Sequence, residues 1–397
     1  MTGTSANGAP IVLDYGATTP VDPQVLEVML PFFTKVWGNA GSAHSHGRTA
    51  REAVERARGE VAALIGARPE EIVFTSGATE SNNLAILGAV RGAGRKSHVI
   101  SSAIEHKSVL DACRQVEREQ HGVSWLRPDS VGRVGPAEVR RALRDDTVLV
   151  SLMLGNNEIG TLNPVKELSA VAREHAVLFH CDATQGMGQL PFDVRELGVD
   201  LVSFSAHKLY GPKGVGALFV REGVEKKLTP LAFGGGQERG LRPGTLSVTH
   251  IVGFGEACRI ARSRRDEEST RIRSLRDALW QGLQAAIPQV TVNGSLDERL
   301  PGNLNVAFAF VDAKRLLEML DGRLCASLGS ACTSQKLEPS HVLRGIGAGN
   351  DRARSSVRFG VGRFTTREEI DAVVTMVAEV VRQLRSASPL WQASQGS

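Results

Sequence analysis

The stretch VDLVSFSAHKLYGPKGVGALFV, residues 199–220, decides how the rest of the chain is read. Its first half is an apolar run rich in Val, Leu and Phe, the mark of a buried strand. The run stops at a Ser-Ala-His-Lys turn followed by Gly211, Pro212 and Gly214. Lys208 is thereby set at a strand end, in a tight turn, beside His207. An exposed lysine has a pKa of about 10.4 and stays protonated, whereas one held in a partly apolar pocket can lose its proton and form a Schiff base with a carbonyl. Most lysines that follow strands are solvated, so this stretch alone supports no more than a loop lysine. The balance changes because polar groups recur at the strand ends upstream.

Working outward, the polar start MTGTSANGAP gives way to IVLDYGATTPVDP, an apolar run, a turn and a Pro-containing helix start. From there to about residue 255 helix and strand alternate. Helical periodicity covers 48–66, EIVFTS reads as a strand, SNNLAILGAVRGAG as a helix, SHVISS as a strand and KSVLDACRQVEREQHG as a helix. VSWL, TVLVSLM, VLFHCD and DLVSFS continue the strands, with PAEVRRALR and VKELSAVAREHA as helices between them. Strands joined by crossover helices form a mostly parallel sheet covered on both faces. After 255 comes a charged helix, RSRRDEESTRIRSLRDALW, read as a solvated face, then strands VTVNG and NLNVAFAF and helices near 312–322, 339–345 and 366–386. The expectation is an α/β chain. A large domain spans 11–255, and a smaller α+β domain spans 256–397, with the N-terminal segment to about residue 20 packed on the smaller one.

Composition sets outer limits. The chain has 397 residues, 42% apolar and 23% charged, with a formal net charge of +4 spread among residues of both signs. Nothing here calls for nucleic acid or a membrane surface, and no uninterrupted apolar segment approaches the ~20 residues a bilayer requires. A cytoplasmic location is expected. Five cysteines, at 113, 181, 258, 325 and 332, include no CxxC pair, which argues against a disulfide framework and a structural zinc site. Packing explains Cys113, Cys181 and Cys258. Cys325 follows apolar Leu324, which suggests burial and an inert thiol. Cys332, in SLGSACTSQKLEPS, is set among small and polar residues typical of an accessible loop.

In open α/β sheets ligands bind beyond the carboxyl ends of the strands. After EIVFTS come Gly77, Ala78 and Thr79, opening a helix whose N–H groups and dipole suit a phosphate, although Thr79 serves equally well as a helix cap. After SHVISS come Glu105, His106 and Lys107, where a histidine can lie over an aromatic cofactor or be a packed residue. After TVLVSLM come Gly155, Asn156, Asn157 and Glu158. VLFHCD ends at Asp182, followed by Ala183, Thr184 and Gln185. A carboxylate at a buried strand end is costly unless paired, which calls for an arginine or a cationic ligand. Its spacing to Lys208 favours the ligand. A carboxylate that keeps a pyridine nitrogen protonated and a lysine on a nearby strand are the two fixtures of pyridoxal phosphate sites.

With these residues in hand, the chain resembles a cysteine desulfurase of the aminotransferase class V group, in the branch with a long Cys-bearing loop that includes the bacterial housekeeping and nitrogen-fixation sulfur donors. The motifs LDYGATTPVDP, EIVFTSGATESNNLAI, EHKSVLD, NNEIGT, DATQ, SFSAHKLYGPKGVGAL, GGGQERGLRPGT, GSACTS and SSVRFGVGRFTT carry the likeness in order, from about residue 11 to the SPLW tail. The resemblance implies the pyridoxal-phosphate-dependent transferase fold type I. It also implies conversion of L-cysteine to L-alanine, with sulfane sulfur held as a persulfide on Cys332 for a sulfur-acceptor protein.

By the same resemblance, Lys208 is the Schiff-base lysine, Asp182 the pyridinium partner, Gln185 the donor to the ring hydroxyl and His106 the ring-stacking acid/base. Thr79, Ser205 and His207 hold the phosphate, and Ala78 and Asn157 also belong to the cofactor site. Thr245 reaches the phosphate of a neighbouring subunit, which implies a homodimer. Asn157 and Arg358 position the substrate, Arg358 gripping its α-carboxylate with a planar fork. No resident metal is implied; Cys332 stays open to a transient iron–sulfur contact. Ala40 stands where a proline is common and Leu328 where a serine is usual; neither removes a group the chemistry requires. A transaminase or selenocysteine lyase is the rival within enzymes, and a docking scaffold that keeps the cofactor as a relic is the rival outside them. A transaminase needs no thiol, and a scaffold has no need for the intact set of chemical residues.

Overall fold

The computed structural model describes residues 9–329 and 340–395. Among the described residues, twelve strands lie in three sheets. They are β1 (Ile11–Val12), β2 (Ile72–Thr75), β3 (His98–Ser102), β4 (Gly122–Leu126), β5 (Thr147–Met153), β6 (Leu178–Asp182), β7 (Leu201–Ser205), β8 (Gly216–Val220), β9 (Val290–Val292), β10 (Asn303–Phe308), β11 (Leu324–Cys325) and β12 (Ser356–Gly360). The central sheet has the order β2-β8-β7-β6-β5-β3-β4. β3 to β7 run parallel, and β8 enters antiparallel to both β7 and β2. The hairpin between β7 and β8 is the GPKG turn just after Lys208.

Most strands of this sheet are buried from end to end, which is why they read as unbroken apolar runs and not as alternating ones. On one face Phe74, Ile100, Val150, Phe179, Val202 and Phe219 pack against the helices Ser45–Leu64, Val165–Glu174 and Val248–Ala286. On the other, Val73, Val99, Leu149, Leu178 and Leu218 pack against the helices Ala78–Gly92 and Lys107–Arg118. Alternate residues of each strand thus feed two separate cores, as the two-residue period of a strand requires.

Apart from the large sheet, a smaller core gathers the antiparallel sheet β12-β10-β9, the helix Arg367–Ser386 and, from the start of the chain, Ile11 and Leu13. β1 enters that core by pairing parallel with β11, Ile11 opposite Leu324 and Val12 opposite Cys325. The helix Val248–Ala286 runs 39 residues and serves both cores. Its first part gives Ile251, Phe254, Ala257 and Ile260 to the large sheet, and its second part gives Ile272, Leu275, Leu279 and Leu283 to the smaller core. The change of texture near 255 therefore falls inside one continuous helix. The charged run within it is largely solvated, as its composition indicated.

Cys113, Cys181 and Cys258 are buried, as packing required. Cys325 is not: it lies exposed at the end of β11. The apolar neighbour Leu324 is buried while Cys325 points the other way, the ordinary alternation of a strand. Partial burial first, then Asp14 and Asp321, push its thiol pKa up, which favours the protonated form although the sulfur is exposed. Cys332 lies outside the described residues.

Candidate active site

The carboxyl ends of β2, β3, β5, β6 and β7 converge on one cavity of about 460 Å³. Lys208 closes a one-turn helix, Ala206–Lys208, that begins as β7 ends. Its Nζ donates to the carbonyls of Gly16 at 2.5 Å and Ala17 at 2.7 Å. Asp182 terminates the adjacent parallel strand β6, opposite Ser203 in register. It is 6% exposed, and its oxygens accept from the Thr184 N–H at 3.0 Å and from Asn82 Nδ2 at 2.8 Å. Both donors are neutral, so no arginine is paired with this carboxylate among the described residues. The cationic-ligand reading is the one consistent with that.

At the far side, Gly77 caps the helix Ala78–Gly92 with φ 154° and ψ 178°, a conformation that glycine adopts and side chains resist. The Cα of Gly77 sits so close to β8 that a Cβ on Gly216 would lie 2.7 Å from it. Ala78, Thr79, Ser205 and His207 all line this end of the cavity. Burial first, then Lys208 and Lys213, depress the His207 imidazole to about 4. Near neutral pH it is therefore an uncharged ring, with Nδ1 3.0 Å from Thr18 Oγ1. An anion here meets helix N–H groups, hydroxyls and a neutral imidazole.

His106 caps the helix Lys107–Arg118, its Nδ1 accepting from the Ser108 N–H at 3.2 Å. Burial lowers its pKa and Asp182 opposes that shift. Gln185 Nε2 donates to the Gly16 carbonyl at 3.1 Å, and Asn157 stands in the wall beyond Met153. Arg358, on β12 of the smaller core, reaches the wall through Nη1 to the Asn157 carbonyl at 3.0 Å, while Nη2 meets Asp14 at 2.8 Å. Its Nε is buried without a partner among the described residues. Thr245 is exposed and does not line the cavity.

Sequence reasoning passed over several buried groups at this site. Asn82 and Ser108 connect Asp182 with His106. Glu105, fully buried, accepts from the Met153 N–H at 3.1 Å, and burial drives its pKa well up. Glu158 accepts from Ser340 Oγ at 2.5 Å. A polar residue on the inward face of an apolar helix was the available signal for Asn82; the two glutamates stood out in sequence as polar residues after buried strands, without a role assigned to them.

A pyridoxal phosphate fits these residues. The carboxylate has only neutral partners, the anion-binding turn sits with Ser205 and His207, and Thr184 Oγ1 is a buried polar atom without a partner among the described residues. Fold and site together define a pyridoxal phosphate enzyme of fold type I. The chain belongs to the aminotransferase class-V family, whose model matches residues 11–373. It is 53% identical over 385 residues to the cysteine desulfurase IscS of Anaeromyxobacter dehalogenans (strain 2CP-C), covering 96% of this chain and 95% of that one. It is 50% identical over 390 residues to a mitochondrial cysteine desulfurase of Arthroderma benhamiae, covering 97% of this chain and 77% of that one. Among solved structures, a NifS-like protein superposes with a TM-score of 0.88 at 36% identity, over 94% of this chain and 100% of its own. SspA in complex with cysteine superposes at 0.80 and 37%, over 89% of this chain and 99% of its own.

Proposed function

We propose that this protein is a cysteine desulfurase that takes L-cysteine to L-alanine and leaves the sulfur as a persulfide on Cys332. The observation that carries the chemistry is the placement of Lys208 and Asp182 at the ends of adjacent parallel strands in one cavity. Bound pyridoxal phosphate supplies an electron sink for charge that develops at the substrate Cα. Asp182 holds a proton at the ring nitrogen, and the Gly77–Thr79 turn, Ser205 and His207 bind the phosphate. Gln185 donates to the ring hydroxyl. Lys208 moves the proton at the substrate Cα, and His106, kept neutral by burial, accepts or returns one beside it. Arg358, oriented by Asn157 and Asp14, offers its Nε–H to the substrate α-carboxylate.

The Cys332 thiolate attacks the substrate sulfur. The new S–S bond forms as the carbon–sulfur bond breaks, so one cysteine and one thiol give one alanine and one persulfide. Feeding L-cysteine to the purified protein should yield alanine and a persulfide on Cys332 in equal amounts, by amino-acid analysis and mass spectrometry. Alanine without persulfide, or neither product, overturns the assignment.

Two further parts of the reading concern partners. Leu30, Phe33, Trp37 and Phe233 are exposed at 55%, 55%, 70% and 84%. Thr249 Oγ1 donates to the Phe32 carbonyl, so the segment with Leu30, Phe33 and Trp37 adjoins the one that bears Thr245. A second copy of the chain laid there would cover the apolar side chains and bring Thr245 to its partner's phosphate, which supports a homodimer. The persulfide passes to a sulfur-acceptor protein in the cytoplasm; no helix among the described residues is long and apolar enough to cross a membrane.

A further inference from the structure

Two of the groups given roles above are joined by a chain of buried side chains that those roles do not use. Asn82 is fully buried on the helix Ala78–Gly92, three residues after Thr79, so one helix lays its N-terminus at the phosphate turn and Asn82 one turn deeper. Asn82 Nδ2 donates to Asp182 Oδ2 at 2.8 Å and to Ser108 Oγ at 2.8 Å. Ser108 Oγ lies 2.8 Å from His106 Nδ1, which also accepts from the Ser108 N–H at 3.2 Å.

The directions of these bonds follow from their members. Turning the amide over would set Oδ1 against a carboxylate oxygen, lone pair against lone pair. In the orientation seen, both hydrogens of Nδ2 are used and Oδ1 is left without a partner among the described residues, a cost accepted to keep the two donors. The carboxylate accepts and Asn82 donates twice. Ser108 Oγ, having accepted from Asn82, sends its one hydrogen to His106 Nδ1. The Ser108 N–H points at the same nitrogen, so the neutral imidazole keeps its proton on Nε2.

We propose that Asn82 is a positioning residue that ties the Asp182 carboxylate to the His106 imidazole through Ser108, so that the orientation of one and the tautomer of the other are set together. This rests on the roles given to Asp182 and His106 under the proposed function. The charged and titratable groups that act on His106 are Asp182, Lys208, His341 and Lys107, and they come from β6, the lysine turn, the segment after residue 340 and its own helix. Only the Asn82–Ser108 route joins one of them to Nδ1 by direct bonds among the described residues.

The test is a ¹⁵N-histidine NMR titration of the cofactor-loaded enzyme, with the His106 signals assigned by their loss in His106→Gln, for wild type, Asn82→Leu, Ser108→Ala and the double variant. Wild type should show Nε2 protonated and Nδ1 bare. Each single variant should move the Nδ1 resonance and its titration midpoint, and the double should move them no further than the larger single, because both cut one chain. Asn82→Leu should also change the absorbance spectrum of the bound cofactor, since it touches Asp182, whereas Ser108→Ala should not. Turnover should fall by about 10- to 100-fold with KM for cysteine within about 3-fold of wild type.

A wild-type ring protonated on Nδ1, an unmoved His106 spectrum in Asn82→Leu, or independent additive shifts would overturn the proposal. Should Asn82→Leu not fold, Ser108→Ala decides alone: an unmoved Nδ1 sinks the link. The spectrum does not require turnover. A chain that shows the expected tautomer and coupling yet makes no alanine therefore faults the functional reading and leaves this one standing.

Discussion

The proposed chemistry is divided between Lys208 and Cys332, and a substitution at each tests its own part of it. Lys208 Nζ is held by the Gly16 and Ala17 carbonyls at the cavity edge, one strand from Asp182. Lys208→Ala should abolish both the visible absorbance of the purified protein and alanine production; any turnover of cysteine by that variant would remove the central assignment. Cys332→Ser should keep the absorbance and its change on adding cysteine, yet form no persulfide and little alanine. Cys325→Ser is the control. Although Cys325 is exposed, partial burial and then Asp14 and Asp321 raise its thiol pKa, so little of the reactive thiolate is present at neutral pH. Mass spectrometry that finds the persulfide on Cys325 and not on Cys332 would reverse the two roles.

At the scale of the element, the strands fix the site through close backbone contact and through a buried histidine. A Cβ on Gly216 would lie 2.7 Å from both the Gly77 Cα and the Phe204 carbonyl oxygen. Gly216→Ala should therefore push β8 off the phosphate turn, costing about 1–3 kcal/mol in overpacking and weakening cofactor retention about tenfold or more on dialysis. Retention equal to wild type would show that the contact is slack.

His180, fully buried at the centre of β6, lies 2.8 Å from Ser151 Oγ on β5 and 2.8 Å from Ser203 Oγ on β7, stitching three strands together. Burial depresses its pKa to about 4. The unfolded chain takes up a proton near 6.5 that the folded chain refuses until about 4, so stability contributed by the neutral ring is full above that window and lost as pH falls through it. The loss is on the order of 3 kcal/mol. Urea midpoints for wild type should drop between pH 7 and pH 4.5, and the drop should be smaller in His180→Gln. Equal drops would place the acid sensitivity elsewhere.

For the molecule as a whole, the junction between the two cores turns on Tyr210 and Arg363. Tyr210, two residues after Lys208, has φ 61°, a strained setting for a bulky residue, and its Oη accepts from the Arg363 N–H at 2.5 Å. The Arg363 guanidinium stands 4.1 Å from the ring centroid, and its Nη1 meets Asp22 at 2.7 Å. Both side chains of that ion pair are nearly buried, at 7% and 6% exposed. Arg363→Ala leaves the Asp22 carboxylate buried without its cation and should cost about 3–5 kcal/mol in denaturant unfolding. A loss below about 1 kcal/mol would mean the junction is held by apolar contact alone.

While β8, β11 and β12 were not read as strands, sequence by itself determined β2 to β7, β9 and β10, the order of the motifs and the setting of Lys208 and Asp182 at strand ends of one site. Each of these is local: an apolar run, a turn residue and a side chain at the strand end lie within a few positions of one another, and burial on both faces leaves a continuous apolar signature. What lies between distant segments was left to the tertiary structure. Arg358 meets Asp14 across 344 positions, and Asn82 meets Asp182 across 100. Such contacts depend on strand order and on which element packs over which, and no periodicity along the chain encodes them. The helix Val248–Ala286 is the plainest instance: the sequence reading set a boundary near 255, and the structure shows one continuous helix shared between two cores.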